Sequence, residues 1–245
     1  MWKLASDGSF FNGKTMKRIA MARLSNEVVL CGLNSSYAAE VLEILARLDW
    51  AVTAGILMYS GNWSMRGFHT ILRKEEVSDL LTTLPAVFAL VNPERRREAV
   101  DWAEVRGFRD FPRVIDPLAH VAPSAFVERG VSVGANSTVG AAAELDRFVL
   151  INRQASIGHH TVLEEFVTVG PGVSIASHCR IEKGVMIGTG AVLAPSIVVG
   201  AGTTIGAGAV VLRSVPPGVT MIGNPARIAK GDAAKPDAPQ PQDDQ

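Results

Sequence analysis

Three of the five histidines in this 245-residue chain form a pattern. His159 and His160 are adjacent, and His178 follows His160 by 18 residues. A neutral imidazole titrates near pH ~6.5, so it can take or return a proton at working pH, and its lone pair can also hold a metal ion. His69 and His120 stand alone and read as surface residues. The two cysteines, Cys31 and Cys179, are too few to frame a disulfide-built fold, and a reducing compartment is expected.

What positions the histidines is a repeat. From Ile115 every sixth residue is aliphatic, through Ile151, Ile157, Leu163, Val169 and Ile175 to Val211, at 17 of 17 positions without insertion. The position four residues later is always small or β-branched, as at Ala119, Ser137, Ala155, Cys179 and Ala209. A period of six fits neither a helix nor an alternating strand. It fits a solenoid of short strands, with the aliphatic inside, the small residue in the tapering corner and glycine easing the bend. Three sides make one coil of 18 residues, so His160 and His178 stack at one corner, roughly 4.8 Å apart. The same periodicity makes Gly188, Gly190, Gly206 and Gly208 turn residues.

Residues 27–114 read differently. All aromatic residues other than Phe126, Phe148 and Phe166 lie before residue 115, whereas 13 of the 23 glycines lie between 115 and 216. Strands are predicted at 27–31, 52–58 and 86–91. Ser35 or Ser36 is expected to cap a helix whose face is Val41, Ile44, Leu45 and Leu48. Asn92-Pro93 opens a second helix that Gly107 closes. Its Arg95-Arg96-Arg97 run reads as an exposed helix face. Alternating strands and helices imply a small Rossmann-like α/β domain whose first strand–helix turn is where a nucleotide sits. Residues 1–26 read as an extension and the Pro-, Asp- and Gln-rich residues 231–245 as a disordered tail. Zero net charge, 24 basic against 24 acidic residues, argues against a general nucleic-acid binder. No apolar run reaches the ~18 residues that span a bilayer, and a cytoplasmic location is expected.

The hexapeptide repeats, followed by Gly223-Asn224-Pro225-Ala226-Arg227, resemble the left-handed parallel β-helix acyltransferases. The preceding α/β domain and the junction Arg113-Val114-Ile115-Asp116-Pro117, with Ala122-Pro123-Ser124-Ala125, resemble the UDP-4-amino-sugar N-acetyltransferases, perosamine N-acetyltransferases and sialic acid O-acetyltransferases. The likeness covers about residues 27–230, divided into the α/β domain at 27–114 and the β-helix at 115–230. It implies a homotrimer in the cytoplasm with acetyl-CoA in the groove between neighbouring β-helices. It also implies an acetyl group passed to a nucleotide-linked sugar in surface-polysaccharide synthesis, with no nucleic acid, membrane insertion or metal.

The family's segment of the form Asn-x-x-[AS]-x-[VI]-x-His-[DE] appears as Asn152-Arg153-Gln154-Ala155-Ser156-Ile157-Gly158-His159-His160. His159 therefore matches the general base and Asn152 the family's asparagine. Thr189 and Ala207 match positions whose backbone contacts acetyl-CoA, and Arg227 and Lys230 could meet its 3′-phosphate. Acyl transfer from a thioester suits this assignment: an imidazole takes the nucleophile's proton, a backbone or side-chain N–H holds the oxyanion, and no covalent intermediate is required.

Three departures are visible. His160 stands where the family has Asp or Glu, with Glu164 and Glu165 as the nearby carboxylates. Thr168 replaces a histidine nine residues after the base, and its hydroxyl can still donate to the cofactor. The glycine-rich turn after the first strand is reduced to Gly32-Leu33-Asn34-Ser35-Ser36-Tyr37, where Gly32, Asn34 and Ser35 would hold the substrate's nucleotide, and no acidic pair follows the second strand. Two other functions compete. A non-catalytic trimeric scaffold or sensor would explain the altered turn. A zinc hydratase of the γ-carbonic-anhydrase kind would use histidines of adjacent subunits, but needs two of them five residues apart, and no pair here is.

Overall fold

A computed structural model describes residues 3–4, 10–11, 26–59 and 70–229. Lys3–Leu4 pairs antiparallel with Phe10–Phe11. Most of the remaining extension, His69, Lys230 and the 231–245 tail lie outside the described residues.

The first body is built from β1 (Glu27–Cys31), α1 (Ala38–Arg47), β2 (Ala51–Leu57), β3 (Ile71–Arg73), β4 (Ala86–Phe88) and α2 (Pro93–Arg106). All strand pairs are parallel, in the order β3-β2-β1-β4. This is half of a doubly wound sheet, and its direction reverses between β1 and β4, so the crevice lies beyond Cys31 and Phe88. The strand predicted over 86–91 stops at Phe88. Ala89 N–H still donates to the Cys31 carbonyl, but the chain then leaves the sheet for Asn92, whose side chain caps α2 at Arg95 N–H. Strand β3, three residues on the sheet edge, is too short to have been visible as a pattern.

Helix α1 buries Val41, Ile44 and Leu45, as its spacing predicts. Its expected serine cap is absent. Tyr37 is the N-cap without a side-chain bond, because tight turns from Ser35 N–H to the Gly32 carbonyl and from Ala38 N–H to the Ser35 carbonyl come first. The Ser35 hydroxyl accepts from Tyr37 N–H within the turn. Helix α2 overturns a second expectation. Arg96 is only 2 % exposed, because it occupies the inward stripe with Ala99, Val100 and Ala103, at i, i+3, i+4 and i+7.

The second body is a left-handed parallel β-helix. Two-residue strands stack in three sheets, each strand pairing with the one 18 residues later, as Ser132 with Leu150 and Thr138 with Ser156. Every repeat aliphatic from Val127 to Val211 is buried in one continuous core. Glycine proves to have two roles. Three residues after each aliphatic lies a left-handed corner: all 14 such positions from 130 to 208 have φ between 55° and 69°, and six are glycine. Directly after the aliphatic, glycine instead keeps the next rung close. A Cβ on Gly158 would lie 2.5 Å from the Ala176 carbonyl carbon and from Ser177 N. Gly188 and Gly206 are of this second kind, and only Gly190 and Gly208 occupy left-handed corners.

These roles predict different costs. Gly190→Ala meets nothing within 4 Å and carries only the left-handed penalty, about 1 kcal/mol. Gly158→Ala must push two backbones apart and should cost about 2–3 kcal/mol. Denaturant midpoints of the two variants check this; equal losses would contradict the rung-spacing argument.

The two bodies are docked. Phe148 and Phe166, one coil apart at left-handed corners, turn outward and stack at 5.4 Å between ring centres. They join Phe88, Phe108 and Phe111 in a core that spans both bodies. Arg96 reaches between them, donating to the Leu90, Val91, Phe148, Phe166 and Val167 carbonyls and to the Thr168 hydroxyl. Burial pushes its guanidinium down to about 9, which leaves it cationic at neutral pH. Two ion pairs, Arg47–Asp116 and Arg153–Glu40, close the rim.

Candidate active site

His159 and His160 sit at the corner that follows the strand Ser156–Ile157, and His178 sits on the next rung. All three are exposed. The repeat places them: His160 and His178 occupy consecutive left-handed corners at φ 56° and 60°, and their rings stack at 4.9 Å and 12°. His159 crosses both edge-on, 5.2 Å and 5.1 Å away. His159 Nδ1 lies 3.0 Å from His160 Nδ1, so one of the two donates to the other.

No carboxylate contacts His159 among the described residues. Glu165 is bound in two places by Arg147, which holds its carboxyl below the usual range, and Glu164 pairs with Arg180. His160 therefore takes the position of the acidic neighbour and offers a neutral acceptor instead of a charge.

The other expected site residues lie elsewhere on the prism. Asn152, Thr189 and Ala207 belong to the edge before the Ser156–Ile157 sheet, one face away from His159. Thr189 and Ala207 are exposed on consecutive rungs, and the Thr189 carbonyl accepts from Gly208 N–H at 2.8 Å. Asn152 is buried, with its Oδ1 accepting from Arg153 N–H. Arg227 is exposed. Thr168 is corrected: it is 1 % exposed, donates to the Val91 carbonyl and accepts from Arg96, so its hydroxyl joins the two bodies and has no proton left for a cofactor.

Gly32, Asn34 and Ser35 gather at the crevice. Gly32 is set by φ 91° and by Leu90, whose Cγ would lie 2.8 Å from a Cβ. Its N–H already donates to the Ile56 carbonyl. Asn34 Nδ2 donates to the Tyr59 carbonyl, while its buried Oδ1 has no partner among the described residues and is open to a ligand N–H. A further cleft of about 610 Å³ runs between the start of α2 and the corner rungs at Arg147, Glu165 and Lys183, on a different edge from His159. No thiol competes as nucleophile: Cys31 is fully buried, which pushes it up to about 12, and burial also raises Cys179.

Reasoning from sequence missed Arg96, Phe148 and Phe166. The signals were present: an arginine on an apolar stripe, and two phenylalanines 18 residues apart at a corner position.

A left-handed β-helix behind a half-Rossmann sheet, with imidazoles on one prism edge, defines an acyltransferase architecture. A family model for the bacterial transferase hexapeptide (six repeats) matches residues 178–213. The acetyltransferase domain of PglB from Neisseria gonorrhoeae is similar at 30% identity, over 84% of this chain and 100% of that one, with a TM-score of 0.74. The same domain in complex with acetyl coenzyme A aligns at 29% identity with the same coverages and TM-score. PerB from Caulobacter crescentus, in complex with CoA and GDP-perosamine, aligns at 26% identity over 84% and 98% of the two chains, with a TM-score of 0.74. No curated protein sequence matches. The chain belongs to the hexapeptide-repeat sugar acetyltransferases and is an acyltransferase. No helix among the described residues is long and apolar enough to cross a membrane.

Proposed function

We propose that the protein transfers an acetyl group from acetyl-CoA to the amine of a nucleotide-linked amino sugar, with His159 as general base. One observation carries the reading: an exposed imidazole, at the family's base position, with one ring nitrogen held 3.0 Å from a second imidazole. Relatives bound to acetyl coenzyme A, or to CoA with GDP-perosamine, support the two substrates.

If His159 Nδ1–H donates to His160 Nδ1, the His159 Nε2 lone pair faces the solvent-filled edge. It takes the proton of the attacking amine as nitrogen bonds to the thioester carbon. The tetrahedral intermediate collapses, the C–S bond breaks, and the imidazolium returns its proton to the CoA thiolate. Backbone N–H groups near Thr189 and Ala207 would hold the cofactor. They lie on a different edge from His159, so the reaction needs one protomer's cofactor edge beside its neighbour's histidine edge. A closed ring of three provides that contact. The crevice at Gly32, Asn34 and Ser35 would hold the nucleotide, with Asn34 Oδ1 accepting from its base. An amine in place of a hydroxyl follows the perosamine relative, and surface-polysaccharide synthesis in the cytoplasm is the setting this substrate suggests.

A panel of nucleotide-linked amino sugars incubated with acetyl-CoA, read by release of free thiol and by product mass, tests the assignment. Absence of turnover across UDP- and GDP-linked amines, together with no calorimetric binding of acetyl-CoA, would favour a scaffold.

His160 should act as a positioning residue. His160→Ala is expected to lower kcat by about 10-fold, less than loss of the base. His160→Asp should recover the rate and move the acidic limb of the kcat profile to higher pH, because an adjacent anion favours the imidazolium. A pH profile identical in both variants would remove His160 from the mechanism.

A further inference from the structure

We infer that His159, His160 and His178 form a binding site for a divalent transition-metal ion of the zinc class, and that its occupation switches acetyl transfer off. The inhibitory part rests on the acyl-transfer reading; the site itself does not.

Each of the three side chains offers one nitrogen, and these atoms lie within 4.8 Å of one another. Zinc held by imidazole at ~2.05 Å in a tetrahedron separates its ligand atoms by about 3.4 Å. The His159–His160 pair, at 3.0 Å, is already near that spacing, and the stacked His160 and His178 rings need only small side-chain rotations. All three rings are exposed, so an ion can enter and a water can complete its shell. Nothing else claims the lone pairs: the nearby carboxylates Glu164 and Glu165 are held by Arg180 and Arg147. Three neutral nitrogens without an acidic ligand suit zinc, copper or nickel, and do not suit calcium or magnesium, which need oxygen.

The consequence follows from lone-pair accounting. A His159 nitrogen that coordinates the ion cannot accept a proton, and the ion holds the ring in place beside His160. Coordination forms metal–nitrogen bonds at the expense of metal–water bonds and involves no electron transfer. Zinc should therefore inhibit without unfolding the protein, and chelation should restore activity.

The test uses the full chain, stripped with EDTA and dialysed, and titrated with zinc chloride by calorimetry without substrate. The informative variant is His178→Asn, because Asn136 holds the same left-handed corner elsewhere in the helix and His178 has no part in the proposed chemistry. The wild type should bind one zinc per protomer with micromolar affinity or better. His178→Asn should bind on the order of tenfold more weakly. It should keep its turnover in metal-free buffer, and it should need correspondingly more zinc for half-inhibition. Equal affinity in the two proteins, or no saturable one-per-protomer binding in the wild type, overturns the site. Because binding is read without substrate, a chain that takes zinc in this way yet acetylates nothing would support the site and count against the acyl-transfer reading.

Discussion

Replacing His159 by alanine is expected to lower kcat by about 10²–10⁴-fold while changing the dissociation constant of acetyl-CoA less than about threefold. The separation follows from the geometry. His159 projects into solvent at a prism corner and packs only against His160 and His178, so its removal opens no cavity. The proposed cofactor contacts, Thr189 and Ala207, lie on another edge. Without the base, the attacking amine must lose its proton to water, and the gain from a positioned acceptor is gone. Steady-state kinetics with the best acceptor, paired with calorimetry of acetyl-CoA, checks both halves. Turnover within a few-fold of the wild type would eliminate the base assignment, and loss of acetyl-CoA binding would mean that the imidazole serves the cofactor instead.

The second large effect is expected at Arg96, far from the chemistry. Three effects compete when it is replaced by alanine. Removing a fully buried cation relieves its desolvation, which already pulls the guanidinium down to about 9. Against this, the Leu90, Phe148 and Phe166 carbonyls each lose the Arg96 donor, in the seam between two bodies. Each buried acceptor left unpaired costs about 1–3 kcal/mol. A void also opens beneath α2. The net expectation is a loss of about 3–5 kcal/mol, with the exposed Arg213→Ala within about 0.5 kcal/mol as the control. All four tryptophans precede residue 115, so their fluorescence follows the α/β body alone, while far-UV circular dichroism also reads the stacked rungs. The fluorescence transition should fall by about 6–20 °C and separate from the later dichroism transition. Arg96→Lys should lie between, since an ammonium has three donors and no planar fan. An unchanged fluorescence transition in Arg96→Ala would show that the aromatic seam holds the bodies together alone.

Much of this molecule was legible because a solenoid is local. Each rung's aliphatic must point inward, and each corner must turn, so the spacing of six from Ile115 to Val211 already contains the prism and stacks His160 under His178. The α/β body was legible where caps and stripes are local, at Asn92, Gly107 and Val41–Ile44–Leu45, and illegible where neighbours decide. Strand β3 exists only because β2 offers it an edge. Thr168 has the right register for a cofactor contact, but α2 covers it.

The sequence alone determined the prism, its length, the family and the rung that carries the imidazoles, because these follow from short-range spacing and side-chain type. Only the tertiary structure decided what those residues face. It turned Arg96 and Thr168 into the joint between two bodies. It left His159 without a carboxylate, since Glu164 and Glu165 are drawn to arginines 16 and 18 residues away along the chain, and it closed three imidazoles around one point. Periodicity fixes which way a side chain points; what stands opposite it depends on chain segments far off in sequence, and no local pattern records them.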